Sequence, residues 1–180
     1  MKFNWIQRSA ELSEKNVPFA IATVINTIAP TSAKPMSKAI ILSDKTMEGW
    51  IGGGCSINTV INEGINCIKT GKSTILRLSP DMPILDFSSD RKEIQLTCES
   101  GGTLEFHIEP ILPMTKLIIF GNTPTTYAIA NMAEFLNFDC YLYLSSPKKN
   151  IELHKNVTII EGYKPFNQKC IAVIGSQGEN

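Results

Sequence analysis

Residues 48–67 read EGWIGGGCSINTVINEGINC, and the way three glycines run into a cysteine where an apolar period begins decides how the first half of the chain is read. After Cys55, the residues Ile57, Val60, Ile61, Ile65 and Ile68 recur at the three-and-four spacing of one helical face, with Asn58, Asn62, Asn66 and Lys69 opposite. The spacing predicts a helix packed on a core by that face, with Cys55 at or beside its start. A helix start presents unbonded backbone N–H groups and a partial positive charge. Gly52, Gly53 and Gly54 put no side chain between that backbone and a ligand. Such a start suits an anion. The same field favours a thiolate, so Cys55 is expected to ionise more readily than a free thiol and to serve as a nucleophile or as a ligand to a soft metal. The plainer alternative is a tight turn followed by a small buried thiol. A dinucleotide loop is the weaker reading, because TMEGW ahead of the glycines is not an apolar strand.

Outward from this stretch, short alternating or apolar segments surround the single long helix: FAIATVINT (19–27), AIILS (39–43), TILRLS (74–79), EIQLTC (93–98) and TLEFHIE (103–109). They predict an α+β domain with a mixed or largely antiparallel sheet over residues 1–112. The N-terminal MKFNWIQRSAELSEK reads as an amphipathic helix. After the break EPILPMT, KLIIFG, TTYAIANMAEFLN and DCYLYLS alternate strand, helix and strand, the start of a parallel unit. VTIIEG and CIAVIGS follow, separated by YKPFNQK, which is too short for a crossover helix. Residues 113–180 are therefore expected to form a partial, short Rossmann-like α/β domain.

Two further segments share the polar and small-residue character of the glycine stretch. In LTCESGGTLEFHIEP (96–110), Cys98 is expected to end a strand, with Gly101 and Gly102 making a hairpin that could bring this thiol near Cys55; the plainer local reading is a β-turn with a buried cysteine. In APTSAKPMSKA (29–39), Thr31, Ser32, Lys34 and Lys38 lie between two strands, where hydroxyls and amines suit a phosphate and equally suit a solvated loop.

Bulk properties narrow the class. Lysine plus arginine total 17 and aspartate plus glutamate total 17, so no general attraction to nucleic acid or to anionic lipid is expected. Five scattered cysteines without CxxC spacing argue against a disulfide framework and against a zinc site. No apolar run approaches the roughly 20 residues of a membrane span, and a cytoplasmic setting is the default expectation.

Taken in order, APTSAKPMSKAIIL, GWIGGGC and TCESGGTLEFHIEPILP, followed by LIIFGNTP, closely resemble the xanthine dehydrogenase accessory factor family of the XdhC and CoxI type, from about Phe19 onward. The resemblance implies a maturation factor that receives molybdenum cofactor (molybdopterin), supports its sulfuration and hands it to an apo molybdenum hydroxylase such as xanthine or carbon monoxide dehydrogenase. It implies a binder and carrier more than a catalyst. A cysteine desulfurase is the implied sulfur donor, and a homodimer the implied assembly. The glycine N–H groups of 52–54 and the helix start would hold the anionic cofactor, with Thr31, Ser32, Lys38, Gly101 and Gly102 as further contacts. Cys55 and Cys98 would be the chemical thiols, Cys55 also the molybdenum ligand or sulfur relay. Two departures stand out: Ile57 occupies the place where many family members carry a glutamate, and Pro35, Met36, Ser37 and Lys38 replace the family's Pro-Gly-Asp-Lys, keeping only the proline and the lysine.

The second half lacks the dinucleotide fingerprint. Gly121, Asn122, Thr123, Pro124, Thr125 and Thr126 keep one glycine of three, and the second strand ends in Ser145 and Ser146 where a ribose-binding acid would stand. Ordinary NAD(P) binding is not expected. His107 reads as a strand residue, His154 as a loop residue with no nearby acid, and Glu105 and Glu109 as one solvated strand face. Two other function classes compete with the accessory factor: a small nucleotide-dependent oxidoreductase working through the second half, and a degenerate interaction module without a ligand.

Overall fold

A computed structural model describes residues 3–81, 91–95, 101–145, 152–162, 164–166 and 169–175, with the side chain of Cys55 outside the description. The chain divides into two compact units, Met1–Pro113 and Met114–Asn180.

In the first unit, α1 (Trp5–Glu14) leads into β1 (Phe19–Ile28), β2 (Lys38–Leu42) and β3 (Met47–Gly49). A single 3-10 turn, Gly54–Ser56, opens α2 (Ile57–Thr70), and β4 (Thr74–Ser79), β5 (Arg91–Gln95) and β6 (Thr103–Ile111) complete the unit. The six strands lie in the order β3-β2-β1-β6-β4-β5, antiparallel throughout except for the parallel pair β4 and β5. The sheet is mixed and the unit is α+β.

Strand β1 explains why FAIATV is a continuous apolar run. Ala20, Ala22 and Val24 face α2 and pack with Ile41, Val60, Cys67, Leu76, Leu78 and Phe106. Phe19 and Ile21 face the other way and pack with Leu12 of α1 and Ile40. A strand covered on both faces needs apolar residues at successive positions. Helix α1 is capped by Asn4, whose side chain accepts from the N–H groups of Ile6 and Gln7. Its Arg8 forks onto Glu48 of β3 through two contacts of 2.8 Å.

The buried face of α2 is centred on Val60, Gly64 and Cys67, with Ile61, Ile65 and Ile68 partly buried along its flanks and Asn58, Asn62, Asn66 and Lys69 exposed. Gly64 is the reason the helix sits so close. A Cβ there would lie 2.6 Å from Cδ1 of Ile41. The helix ends at Gly71, whose left-handed φ of 70° lets its N–H donate to the Cys67 carbonyl at 2.8 Å.

One expectation fails in this sheet. A hairpin through Gly101 and Gly102 would set β5 beside β6, but β4 lies between them and pairs with both. Alternation along a strand fixes which residues share a face and says nothing about which strand is the neighbour. The observed β5 is Arg91–Gln95, and Cys98 lies outside the described residues.

The pairings also fix which loops gather where. Ile28 at the end of β1 faces Thr103 at the start of β6, and Thr23 faces Lys38 at the start of β2. Gly49 at the end of β3 faces Ala39, and Ser79 at the end of β4 faces Gln95 at the end of β5. The segments 29–37, 50–56 and 101–102 therefore all lie at one end of the sheet.

The second unit comprises β7 (Thr115–Phe120), α3 (Pro124–Met132), β8 (Phe138–Leu144), β9 (Thr158–Glu161) and β10 (Cys170–Ile174). Its four strands are all parallel, in the order β10-β7-β8-β9. Helix α3 is shorter than the periodicity of 125–137 implies, and turns at Ala133–Asn137 return the chain to the sheet. One core of this unit gathers Leu117, Ile119, Ala130, Ala133, Cys140, Leu142 and Leu144. No helix among the described residues is long and apolar enough to cross a membrane.

Candidate functional site

The site is built from small residues that let three loops touch. Gly52 has φ of +113°, a conformation that side chains resist, and a Cβ there would lie 2.8 Å from the Cβ of Ala33. Ile51 and Ala33 are buried in the α2-facing core and anchor the two loops from below. Gly53 passes Ser32, with 3.5 Å between its absent Cβ and the serine Oγ. Thr31 Oγ1 accepts the Ala33 N–H at 3.1 Å and turns that loop. Gly102 approaches from the third side, where a Cβ would collide with the Pro30 carbonyl and come within 3.0 Å of the Ile28 carbonyl oxygen.

Thr31, Ser32, Gly52, Gly53 and Gly102 are thus brought together. Gly54 follows directly, with open space where its Cβ would be, and Gly101 is likewise open at φ of +66°. Cys55 occupies the middle of the 3-10 turn immediately ahead of α2, and its side chain is outside the described residues, as is Cys98. Lys38 is not part of the cluster. Its ammonium bonds Thr23 Oγ1 at 2.7 Å and lies 5.0 Å from the ring centroid of Trp5, and Trp5 belongs to the core that packs α1 on the other face of the sheet. Period-two geometry sends residue 38 that way, since Ala39 and Ile41 face α2.

The start of α2 is open. Ser56 Oγ donates back to the Gly53 carbonyl at 3.0 Å, and among the described residues neither the 3-10 turn nor α2 has a side-chain cap and no acid stands in the first turn. Backbone N–H groups at such a start are left for solvent or an anion. Sequence reasoning singled out the glycines but missed Ala33 and Ile51, whose burial holds the loops in place. The signal was present as a small residue in one loop and an apolar one just before the glycines.

Cys67 and Cys140 are buried thiols set in the cores of the two units. Burial first, and then Glu63, pushes the Cys67 thiol up to about 11; burial first, and then Asp139, does the same for Cys140. Among the described residues there is no cluster of three or more His, Cys, Asp and Glu side chains placed to hold a metal ion. His107 lines a shallow depression of about 420 Å³ with Lys72 and Thr74, at the sheet end opposite the glycines. Glu105 is bound to Arg91 at 3.0 Å, in an ionic lattice that also joins Arg77 and Glu93 at 3.3 Å. His154 does have an acid beside it: its Nδ1 meets Glu134, beyond the end of α3, and its backbone N–H donates to Asn131 at 2.8 Å. The fold supplied a partner that is distant in sequence.

Residues 12–79, which include the 29–37 loop, the glycine stretch and all of α2, match the XdhC and CoxI family. Over this segment the chain is similar to that family. The uncharacterized protein YqeB of Escherichia coli (strain K12) is 24% identical over 136 residues, which are 76% of this chain and 24% of YqeB, so the chain spans about a quarter of that relative's length. A crystal structure described as a xanthine dehydrogenase from Bacillus halodurans superposes with a TM-score of 0.44 at 14% identity, covering 77% of this chain and 61% of that one. The XdhC and CoxI match ends at β4, ahead of Gly101 and Gly102.

Proposed function

We propose that this chain is an accessory factor for molybdenum hydroxylases, one that holds molybdenum cofactor at the glycine end of its first unit and passes it to an apoenzyme. The observation that carries the reading is the meeting of Thr31–Ala33, Gly52–Gly54 and Gly102 beside an uncapped helix start, inside or adjoining the XdhC and CoxI segment. The donor set fits the group. Gly54 leaves backbone accessible where a side chain would intervene, and the hydroxyls of Thr31 and Ser32 stand on the neighbouring loop.

The cofactor supplies a phosphate, suited to backbone N–H donors, and a sulfur-bound molybdenum, suited to a thiolate. In this account the N–H groups at the start of α2 and the Gly53–Gly54 backbone bind the anion. Thr31 and Ser32 orient it, and Cys55, one residue into the 3-10 turn, lies in the field that favours its thiolate. Lys38 contributes charge only from the other face of the sheet. The acceptor is an apo molybdenum hydroxylase of the xanthine dehydrogenase type.

A handover assay tests the reading. Chain loaded with cofactor is mixed with apo hydroxylase, and recovered activity is compared with that given by an equal amount of free cofactor in the presence of a competing pterin-binding protein. Protected transfer gives recovery that the competitor does not suppress. Suppression equal to that of free cofactor would refute carriage.

A further inference from the structure

The second unit carries a strand order that invites a nucleotide. With β7 between β8 and β10, all parallel, its sheet has the order of one half of a doubly wound fold, and the crevice at the carboxyl ends of β7 and β10 is where such sheets take a dinucleotide phosphate. Gly121–Thr126 is the loop at that place, and its positions can be matched to the glycine fingerprint one by one.

The first glycine is present and used for the tight turn. Gly121 has φ of +132°, and a Cβ on it would collide with the Gly175 carbonyl at the end of β10. The second glycine, which would let a pyrophosphate approach the backbone, is Thr123. The third, which serves close packing of helix on strand, is Thr126, fully buried at 0% exposure. The packing glycine has moved to the strand side: a Cβ on Gly175 would collide with Cγ2 of Thr126, and the Gly175 N–H donates to the Phe120 carbonyl at 2.8 Å.

The two threonines then take up two of the backbone donors that a phosphate would use. Thr123 Oγ1 accepts the Thr126 N–H at 3.2 Å, and Thr126 Oγ1 accepts the Thr123 N–H at 3.0 Å, a reciprocal cap. Thr126 Oγ1 in turn donates toward the Thr123 carbonyl at 2.8 Å or the Gly121 carbonyl at 3.2 Å, tying the loop to itself. Pro124, the first residue of α3, has no N–H to offer. Where α2 begins without a side-chain cap, α3 begins with the Thr123 and Thr126 N–H groups each bonded to the other's hydroxyl.

We infer that the Gly121–Thr126 loop is a self-sealed junction that takes no dinucleotide phosphate, the chain's own hydroxyls standing where the pyrophosphate oxygens would. The parallel sheet of this unit is thereby a scaffold, and the oxidoreductase alternative loses the site it requires. The lack of an acid after β8, where Ser145 and Ser146 follow Leu144, removes the ribose contact as well.

The test is a titration of the full chain, isotope-labelled for backbone amides, with NADH and separately with inorganic pyrophosphate, up to about 5 mM, past the millimolar range of incidental binding. The expected result is no saturable movement of the Gly121–Tyr127 amide signals. The Gly52–Gly54 signals report separately on any anion taken by the first unit, so the fate of the proposed cofactor site does not confuse the outcome. Saturable shifts at Asn122, Thr123 and Thr125 would overturn the inference. A second readout bears on the seal itself. Hydrogen exchange of the Thr126 amide should accelerate roughly fivefold in Thr123→Ala, the loss of one capping bond, and should stay near the wild-type rate in Thr123→Ser. Equal rates in all three proteins would show that the cap does not close the loop.

Discussion

At the scale of single residues, the glycines divide by what they are for. Gly52 and Gly64 are internal-contact glycines, set against Ala33 and Ile41, whereas Gly54 opens onto free space. Gly64→Ala gains about 1 kcal/mol of helix propensity and meets an overpacking cost of about 1–3 kcal/mol against Ile41. Net destabilisation on the order of 1 kcal/mol is expected, read as a lowered urea midpoint. Gly52→Ala combines a strained φ with the Ala33 contact and should cost about 1–3 kcal/mol. Gly54→Ala, with nothing within 4 Å, should leave stability near wild type and so isolates effects on binding. Cys67 makes a pH prediction. Its folded pKa is raised to about 11 from 9.0 by burial and then by Glu63, so its contribution to stability is fully present below about pH 9 and is lost as pH rises through 11. Urea midpoints from pH 8 to 11 should fall more steeply for wild type than for Cys67→Ala. The sequence told which stretch mattered, because glycines and a cysteine at a helix start are conspicuous. It did not tell that Gly52 and Gly64 serve packing, because their neighbours, Ala33 and Ile41, come from other elements.

At the scale of elements, the open start of α2 and its firm attachment depend on different contacts. Attachment on the flank comes from Glu63, only 9% exposed, which receives Lys92 of β5 at 2.8 and 2.9 Å and the Asn66 amide at 3.0 Å. Lys92→Met leaves that carboxylate with one amide. The expected cost is about 1–3 kcal/mol, below that of a fully buried pair because the Lys92 side chain is 45% exposed. Denaturation of Lys92→Met beside Lys92→Met with Glu63→Gln measures it, the second change restoring most of the loss. The strands of both units other than the short β3 (Met47–Gly49) were readable from alternation and apolar runs, as was the character of α2. The insertion of β4 between β5 and β6 was not, since register and neighbour choice depend on tertiary pairing. The pairing of His154 with Glu134 escaped for the same reason, the two standing twenty positions apart in the sequence.

At the scale of the whole molecule, each unit has cores of its own, one pair about the mixed sheet and one on the parallel sheet. Residues 1–113 alone should therefore fold with a cooperative urea transition, and a non-cooperative, aggregating fragment would contradict that division. The XdhC and CoxI segment lies within this first unit, and so does every residue of the glycine cluster. The central claim is that the glycine and cysteine loop carries molybdenum cofactor. Its most direct test is the molybdenum and pterin content of the full chain purified from cells able to make the cofactor, comparing wild type, Cys55→Ser and Cys170→Ser. Wild type and Cys170→Ser should carry both in matching amounts, and Cys55→Ser should carry little of either; wild-type protein that carries neither, even with cofactor supplied in excess, would contradict the account.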